Sequence, residues 1–325
     1  MPGGGTRTFL GPDIYEAGLR QADIECIITG AADFNARLTS VELHHSQLLR
    51  CEEDLARIGF VSLPPRWACI SFSALANSGP LPKWRGSELK AGEIIFHSSG
   101  DRLHQTTAGP SIWSMITLDP VHLDDYSRAL FETPLGPPAE GRVLRPTVRD
   151  AARLRRLHAQ ACRLAETKPK ILSHPEVARA IEHDLIHALV TCLTSAKVYE
   201  EAAAKRHHAL VMVRLEELLA EHLSRPLPVP ELCRLIGVGE RTLRSCCAEF
   251  LGIGPRRYIL LRRLKEVRRA LREANPYTAR VSELARHYGF TQLGRFAGTY
   301  RSAFGEAPST TLRRAPKLRF GAHQF

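Results

Sequence analysis

The chain has 325 residues, is 44% hydrophobic and 24% charged, and carries a formal net charge of +11 at neutral pH. That length favours two domains over one. No stretch approaches the ~18 apolar residues that span a bilayer, and Met1-Pro-Gly-Gly-Gly lacks the charged start and apolar run of a signal peptide, so the expected location is cytoplasmic.

The charge is unevenly placed. Residues 1–209 hold 24 Lys+Arg against 24 Asp+Glu, whereas residues 210–325 hold 21 against 10, so the whole excess lies in the last third. This is the electrostatic footprint of a polyanion-binding domain joined to a neutral one. The eight cysteines show no Cys-x-x-Cys and no zinc spacing with histidine; they read as reduced thiols serving as small apolar groups. For the adjacent Cys246-Cys247, core packing is the first reading and a thiol sensor the second.

Residues 1–135 read as short strands at 24–29, 36–43, 69–73, 93–97, 103–107 and 112–117. Ala36-Arg-Leu-Thr-Ser-Val-Glu-Leu alternates as a half-buried strand does. Turn signals separate the runs: Asn77-Ser-Gly-Pro, Lys90-Ala-Gly, Ser99-Gly-Asp and Ala108-Gly-Pro. Such a pattern predicts an antiparallel barrel or sandwich. Leu89-Lys-Ala-Gly-Glu-Ile-Ile-Phe resembles the strand-entry phrase of cupin-like barrels. A metal is not expected: adjacent His44 and His45 point to opposite faces of a strand, and His97 and His104 lie seven apart. No phosphate loop, Gly-x-Ser-x-Gly or paired-carboxylate motif is present, so neither a catalytic residue nor a cofactor is assigned. Trp67, Trp84, Phe96, His104 and Trp113 are candidate walls of a small-molecule effector pocket, with plain barrel core as the alternative for each.

From Val121 the pattern turns helical. A short helix at 121–132 precedes the breaker Pro134-Leu-Gly-Pro-Pro, and longer helices are predicted at 147–166 and 175–199. Thr147 and Asp150 form a Thr-x-x-Asp capping pattern. Val177, Ile181, Leu185, Ile186, Leu189 and Leu193 give the second long helix one apolar face, which packs on the barrel or on a second subunit. A charged linker at 200–208 leads into a helix at 210–223. The expected segmentation is a cupin-like domain at 1–135, a helical connector with a possible role in dimerisation at 136–208, a DNA-binding domain at 209–315, and a basic tail at 316–325.

The DNA-binding segment repeats one grammar twice. Leu227-Pro-Val-Pro-Glu-Leu-Cys-Arg-Leu-Ile-Gly-Val-Gly-Glu-Arg-Thr-Leu-Arg and Val281-Ser-Glu-Leu-Ala-Arg-His-Tyr-Gly-Phe-Thr-Gln-Leu-Gly-Arg-Phe each place a short apolar-periodic helix before a glycine turn, an apolar plug and a second helix. Gly237 and Gly289 open the turns, where a positive φ is needed; Val238 and Phe290 are the plugs. Between the copies, a helix from Pro255 to Glu273 carries Tyr258, Leu261, Leu264, Val267 and Leu271 on one face and eight basic residues on the other. At ~1.5 Å per residue it is a rod of roughly 28 Å, near the ~34 Å between successive major grooves on one side of B-DNA.

This layout resembles the DNA-binding domain of the AraC/XylS family of bacterial transcription regulators. The matching residues are Leu232, Ile236-Gly237-Val238, Arg241-Thr242-Leu243, Gly252, Pro255, Tyr258 and Arg263-Leu264, then Leu284-Ala285, Gly289-Phe290, Phe296, Phe304-Gly305 and Pro308. Departures are Gly239 in place of a Ser or Thr cap, Ser245 for Arg, Thr311-Leu312 for an aromatic-Arg pair, and Gly294 and Gly298 inside the last recognition helix. The resemblance implies an α+β chain: an effector-binding, dimerising cupin-like barrel followed by an all-α double helix-turn-helix domain. It implies a homodimer acting on double-stranded DNA, in contact with RNA polymerase if it activates.

In that frame Glu240, Arg241, Arg244, Gln292, Leu293 and Arg295 are the candidate base readers. Arg bonds guanine, Gln adenine, and Glu accepts from cytosine. Thr242, Arg262, Thr291 and Arg301 are candidate phosphate contacts; Thr291 is also a candidate helix cap, and a salt bridge of Arg241 with Glu240 or Glu249 is the alternative to base reading. Alternative functions are a ligand-independent dimeric regulator, a barrel enzyme fused to a DNA-binding domain, and a non-sequence-specific architectural or RNA-binding protein.

Overall fold

The computed structural model describes residues 2–19, 22–29, 34–73, 82–199, 203–223 and 226–314. The Asn77-Ser-Gly-Pro turn, the start of the charged linker and the 316–325 tail lie outside the described residues. The chain divides into two compact units, Met1–Arg206 and His207–Phe325.

The first unit contains, in order, β1 (Gly3–Phe9), α1 (Pro12–Gly18), β2 (Asp23–Ile28), β3 (Ala36–Glu42), β4 (Ser46–Glu53), β5 (Arg57–Ser62), β6 (Ala68–Ser73), β7 (Lys83–Trp84), β8 (Ser87–Glu88), β9 (Ile94–Phe96), β10 (Arg102–Thr107), β11 (Ser111–Leu118), α2 (Pro120–Phe131), β12 (Arg142–Arg145), α3 (Val148–Thr167), α4 (Pro169–Leu172), α5 (Pro175–Ser195) and β13 (Lys197–Tyr199). They form two antiparallel sheets, ordered β1-β3-β4-β11-β6-β9-β12-β13 and β2-β5-β10-β7-β8. Alternation decides which face each residue serves. Along β11, Trp113 and Met115 join Leu38, Cys51, Cys69 and Ile95 in a cluster shared with Ile24, Val61 and Leu103 of the smaller sheet. Ile116 and Leu118, offset by one, join Val41, Ile70, Phe72 and Phe96 against α3 and α5. The larger sheet is thus covered on one face by the smaller sheet and on the other by helices.

All six predicted strands are present. The segmentation differs in one respect. Residues assigned to a separate connector are built into the first unit: β12 pairs with β9, and β13 pairs with β12. The apolar face of α5 is buried in that same unit, and the helix stops at Ser195 because residues 197–199 extend the sheet. Thr147 caps α3 as expected, accepting from the Asp150 amide at 3.2 Å.

Inside the helix-covered face lies His158, fully buried, with its ring edge-on to Phe72 at 5.2 Å. Burial pushes its imidazole down to about 4. The unfolded chain, with an ordinary histidine near 6.5, binds that proton first. The first unit should therefore lose stability as pH falls from about 6.5 to about 4, by about 3 kcal/mol in all. Thermal melts of wild type and His158→Leu across that window check it: the variant should lack this part of the slope.

The second unit contains α7 (Val229–Ile236), α8 (Glu240–Leu251), α9 (Pro255–Glu273), α10 (Val281–His287), α11 (Leu293–Phe304) and α12 (Pro308–Arg313), and the division between units falls within α6 (Ala203–Glu221). Gly237 and Gly289 have φ of +82° and +78°, the left-handed values the turns require.

Candidate nucleic-acid interface

α8 buries Leu243, Cys246, Cys247, Phe250 and Leu251. α11 buries Phe296 and Tyr300, and Phe304 packs on the same cluster with Leu264, Val267, Leu271 and Leu312. These faces leave Glu240, Arg241, Arg244, Gln292 and Arg295 exposed towards the N-terminal ends of the two helices. Among the described residues, neither Arg241, Arg244, Arg295 nor Arg301 makes an ion pair; Glu249, the offered partner of Arg241, binds His208 Nδ1 at 2.6 Å instead. Leu293 is half-buried against the α9–α11 core. Thr242 is half-buried, while Thr291 and Arg301 are exposed.

Two expectations fail on geometry. Thr291 does not cap α11: the N-cap position is Gln292, and no side chain caps it. Arg262 does not face solvent. Its side chain is buried against Glu216 of α6, with Nη2 at 3.3 Å from Oε2, and Glu216 Oε1 also accepts from Tyr258 OH at 2.5 Å. An arginine so enclosed reaches no phosphate; it ties α9 to α6.

Other arginines on the same rod act likewise. Arg263 donates from Nε and Nη2 to the Tyr288 carbonyl at 3.1 and 2.8 Å and lies over the Phe290 ring at 4.4 Å. Arg268 covers Phe304 at 4.6 Å and pairs with Glu306 at 3.4 Å. The basic helix is thus a brace as well as a charged surface, since its cations fasten the second helix-turn-helix to it. The unusual Thr311 finds a partner in the same way, accepting from Tyr300 OH at 2.9 Å and donating to Glu306 at 3.0 Å. Gly294 and Gly298 make no room for a neighbour: a Cβ at either meets nothing within 4 Å.

Cys246 and Cys247 are fully buried, and burial pushes their thiols up to about 11 and about 12. A thiol needs exposure and a low pKa to sense oxidants, so these two serve as packing.

The candidate effector residues are not brought together. Trp84 and Trp113 lie in the cluster between the sheets, with Trp67 packed against it. Phe96 faces the helices on the opposite side of the larger sheet. His104, next to inward-facing Leu103, turns to the other side of its own sheet, its ring 5.1 Å from Phe60. The indole of Trp113 donates to Glu53 at 2.9 Å. That carboxylate also accepts from Tyr15 OH at 2.6 Å and from Arg57 Nε at 2.5 Å. The sequence pattern did not single out this buried group; the signal was the cluster Glu52-Glu53-Asp54 and Arg57 bordering apolar runs. Among the described residues, no three His, Cys, Asp or Glu side chains are placed to hold a metal ion, and no helix is long and apolar enough to cross a membrane.

Paired short helices joined through left-handed glycines, twice, on a cationic spine define a DNA-binding transcription regulator. Comparison with known proteins specifies it. Residues 232–314 match the family described as "Helix-turn-helix domain". The chain is 28% identical over 286 residues to a "XylDLEGF operon transcriptional activator" of Pseudomonas putida, covering 85% of each chain. It is 33% identical over 147 residues to a "Probable thc operon regulatory protein" of Rhodococcus erythropolis, covering 44% of this chain and 43% of that one. Among solved structures, the AraC-like transcriptional activator CuxR aligns over 81% of this chain and 94% of its own, with 18% identity and a TM-score of 0.42. Over most of its length the chain thus resembles AraC/XylS-family activators, and its C-terminal unit carries an AraC-type DNA-binding domain.

Proposed function

We propose that the protein is a sequence-specific regulator that reads two successive major grooves, α8 in one and α11 in the next. The observation that carries this is the pair of unpaired, exposed reading faces, Glu240-Arg241-Arg244 and Gln292-Arg295, on helices whose opposite faces are locked in the core. Leu293 contributes an apolar edge, and Thr242, Thr291 and Arg301 hold phosphate. Arg244→Ala and Arg295→Ala should each cost about 1–3 kcal/mol at a single base pair and relax the preference there. Fluorescence anisotropy over single-substitution duplexes reads this directly; an equal loss on every duplex would remove the residue from the list of readers.

The relatives named above as activators make activation, with contact to RNA polymerase, the direction we assign. The protein acts in the cytoplasm as a homodimer rather than as an enzyme. Its first unit takes a small-molecule effector between the sheets. Trp84 supports this: it is buried there with its indole N–H unpartnered, in the cluster against which half-buried Trp67 also packs. A thermal-shift screen of the full chain against small metabolites tests the effector, and a screen without shifts leaves the first unit as a dimerisation module.

A further inference from the structure

We propose that the outer face of α3 is a second polyanion surface, one that grips the phosphates of DNA flanking the site read by the C-terminal unit. The inference rests on the DNA-binding reading above.

Arg149, Arg153, Arg156 and Arg163 fall at steps of four, three and seven, one stripe of a helix. All four are exposed, and exposed Lys168 and Lys170 continue the line beyond the helix end. From Arg149 to Arg163 is about 21 Å of axis at ~1.5 Å per residue. The helix cannot roll to hide them, because its other face buries Ala151, Leu154, His158, Ala161, Cys162 and Ala165. Nor are they neutralised locally. Among the described residues none of the six makes an ion pair. The two acids of α3 are engaged elsewhere: Asp150 with Thr147 at 2.6 Å, and Glu166 with Arg37 at 3.5 Å and Thr39 at 2.9 Å. An open groove of about 390 Å³ runs between Arg156, Arg163 and Lys168, with the Gln160 amide on its wall.

Residues 1–209 are neutral overall, 24 cations against 24 anions, so the stripe is a local field and not part of a general basic surface. Arginine, more than lysine, presents a planar fork that matches phosphate oxygens. A chain already held on DNA by one unit offers its other unit to neighbouring phosphates at an effective concentration in the millimolar range. Contacts too weak to bind alone count there.

The test uses the full chain. Selection from genomic fragments provides an operator, which is placed in duplexes with the bare core or with about 20 bp added on each side, and binding is titrated against salt. The longer duplex should bind about tenfold tighter near 0.1 M salt, with a log–log slope steeper by about two to three, each phosphate contact contributing about 0.9. The variant Arg153→Ala, Arg156→Ala, Arg163→Ala should bind both duplexes as wild type binds the short one. The corresponding triple lysine variant should keep most of the gain. Equal affinity and slope on the two duplexes, or a flank gain that survives the alanine triple, overturns the proposal. An alanine triple that keeps the flank gain but loses transcription assigns the stripe to an acidic protein surface and overturns it too. Failure to select any operator sinks the regulator reading as well, which separates the two.

Discussion

Arg262→Ala is expected to destabilise the C-terminal unit by about 3–5 kcal/mol while leaving the salt slope of DNA binding unchanged. Its side chain is 8% exposed and its partner Glu216 1%. Deleting the cation takes an ion partner from a carboxylate that stays buried, which costs more than the pair itself contributes. A surface phosphate contact behaves oppositely: it leaves stability alone and lowers the slope by about one. Urea melts and a salt titration of the residual binding separate the two outcomes. A drop in slope with an unchanged melt would return Arg262 to the DNA interface. The double variant Glu216→Leu, Arg262→Met should recover much of the loss, since apolar groups of similar volume replace a buried pair at little net cost.

Glu53→Ala should be of similar size, about 3–5 kcal/mol, and confined to the first unit. Arg57 and Glu53 side chains are both 0% exposed, 2.5 Å apart. Four donors converge on that carboxylate: the Arg57 guanidinium, the Tyr15 hydroxyl, the Trp113 indole and, at 3.4 Å, the Ser111 hydroxyl. Burial alone pushes the guanidinium towards losing its proton, and Glu53 more than offsets it, so the net direction is upward. Removing Glu53 takes the countercharge from a buried cation and an acceptor from three further donors, each loss costly in a dry interior. Glu53→Gln keeps a carbonyl acceptor but loses the charge, and should fall between wild type and alanine. Calorimetry of the full chain resolves this if the first unit's transition moves and the C-terminal one does not; an unmoved first-unit transition in Glu53→Ala would contradict the structure.

These two sites mark where reading residues in order fails. Arg256 and Arg262 look alike in sequence, two arginines of one basic helix. Arg256 is exposed and Arg262 buried because Glu216, far upstream, occupies one side of α9. β4 and β5 escaped notice for a related reason. β5 buries five residues in succession, and β4 has no exposed position along its eight residues. A strand packed on both faces loses the alternation that betrays a half-buried one. The strands β12 and β13 are short, and their pairing with each other and with β9 joins segments far apart in the chain.

What sequence alone determined were the local and additive features: helices with their glycine turns, the exposed faces around Arg244 and Arg295, the charge of the last third, and the resemblance of that third to AraC-type domains. Each rests on spacing within a few residues or on a sum over many. Only the tertiary structure decided which arginines are bolts and which are free, that the helical middle belongs to the first unit, and that Phe96, His104 and Trp113 never share a wall. Those outcomes depend on which face meets which neighbour, a choice of strand parity and helix rotation made by packing between residues far apart in the chain.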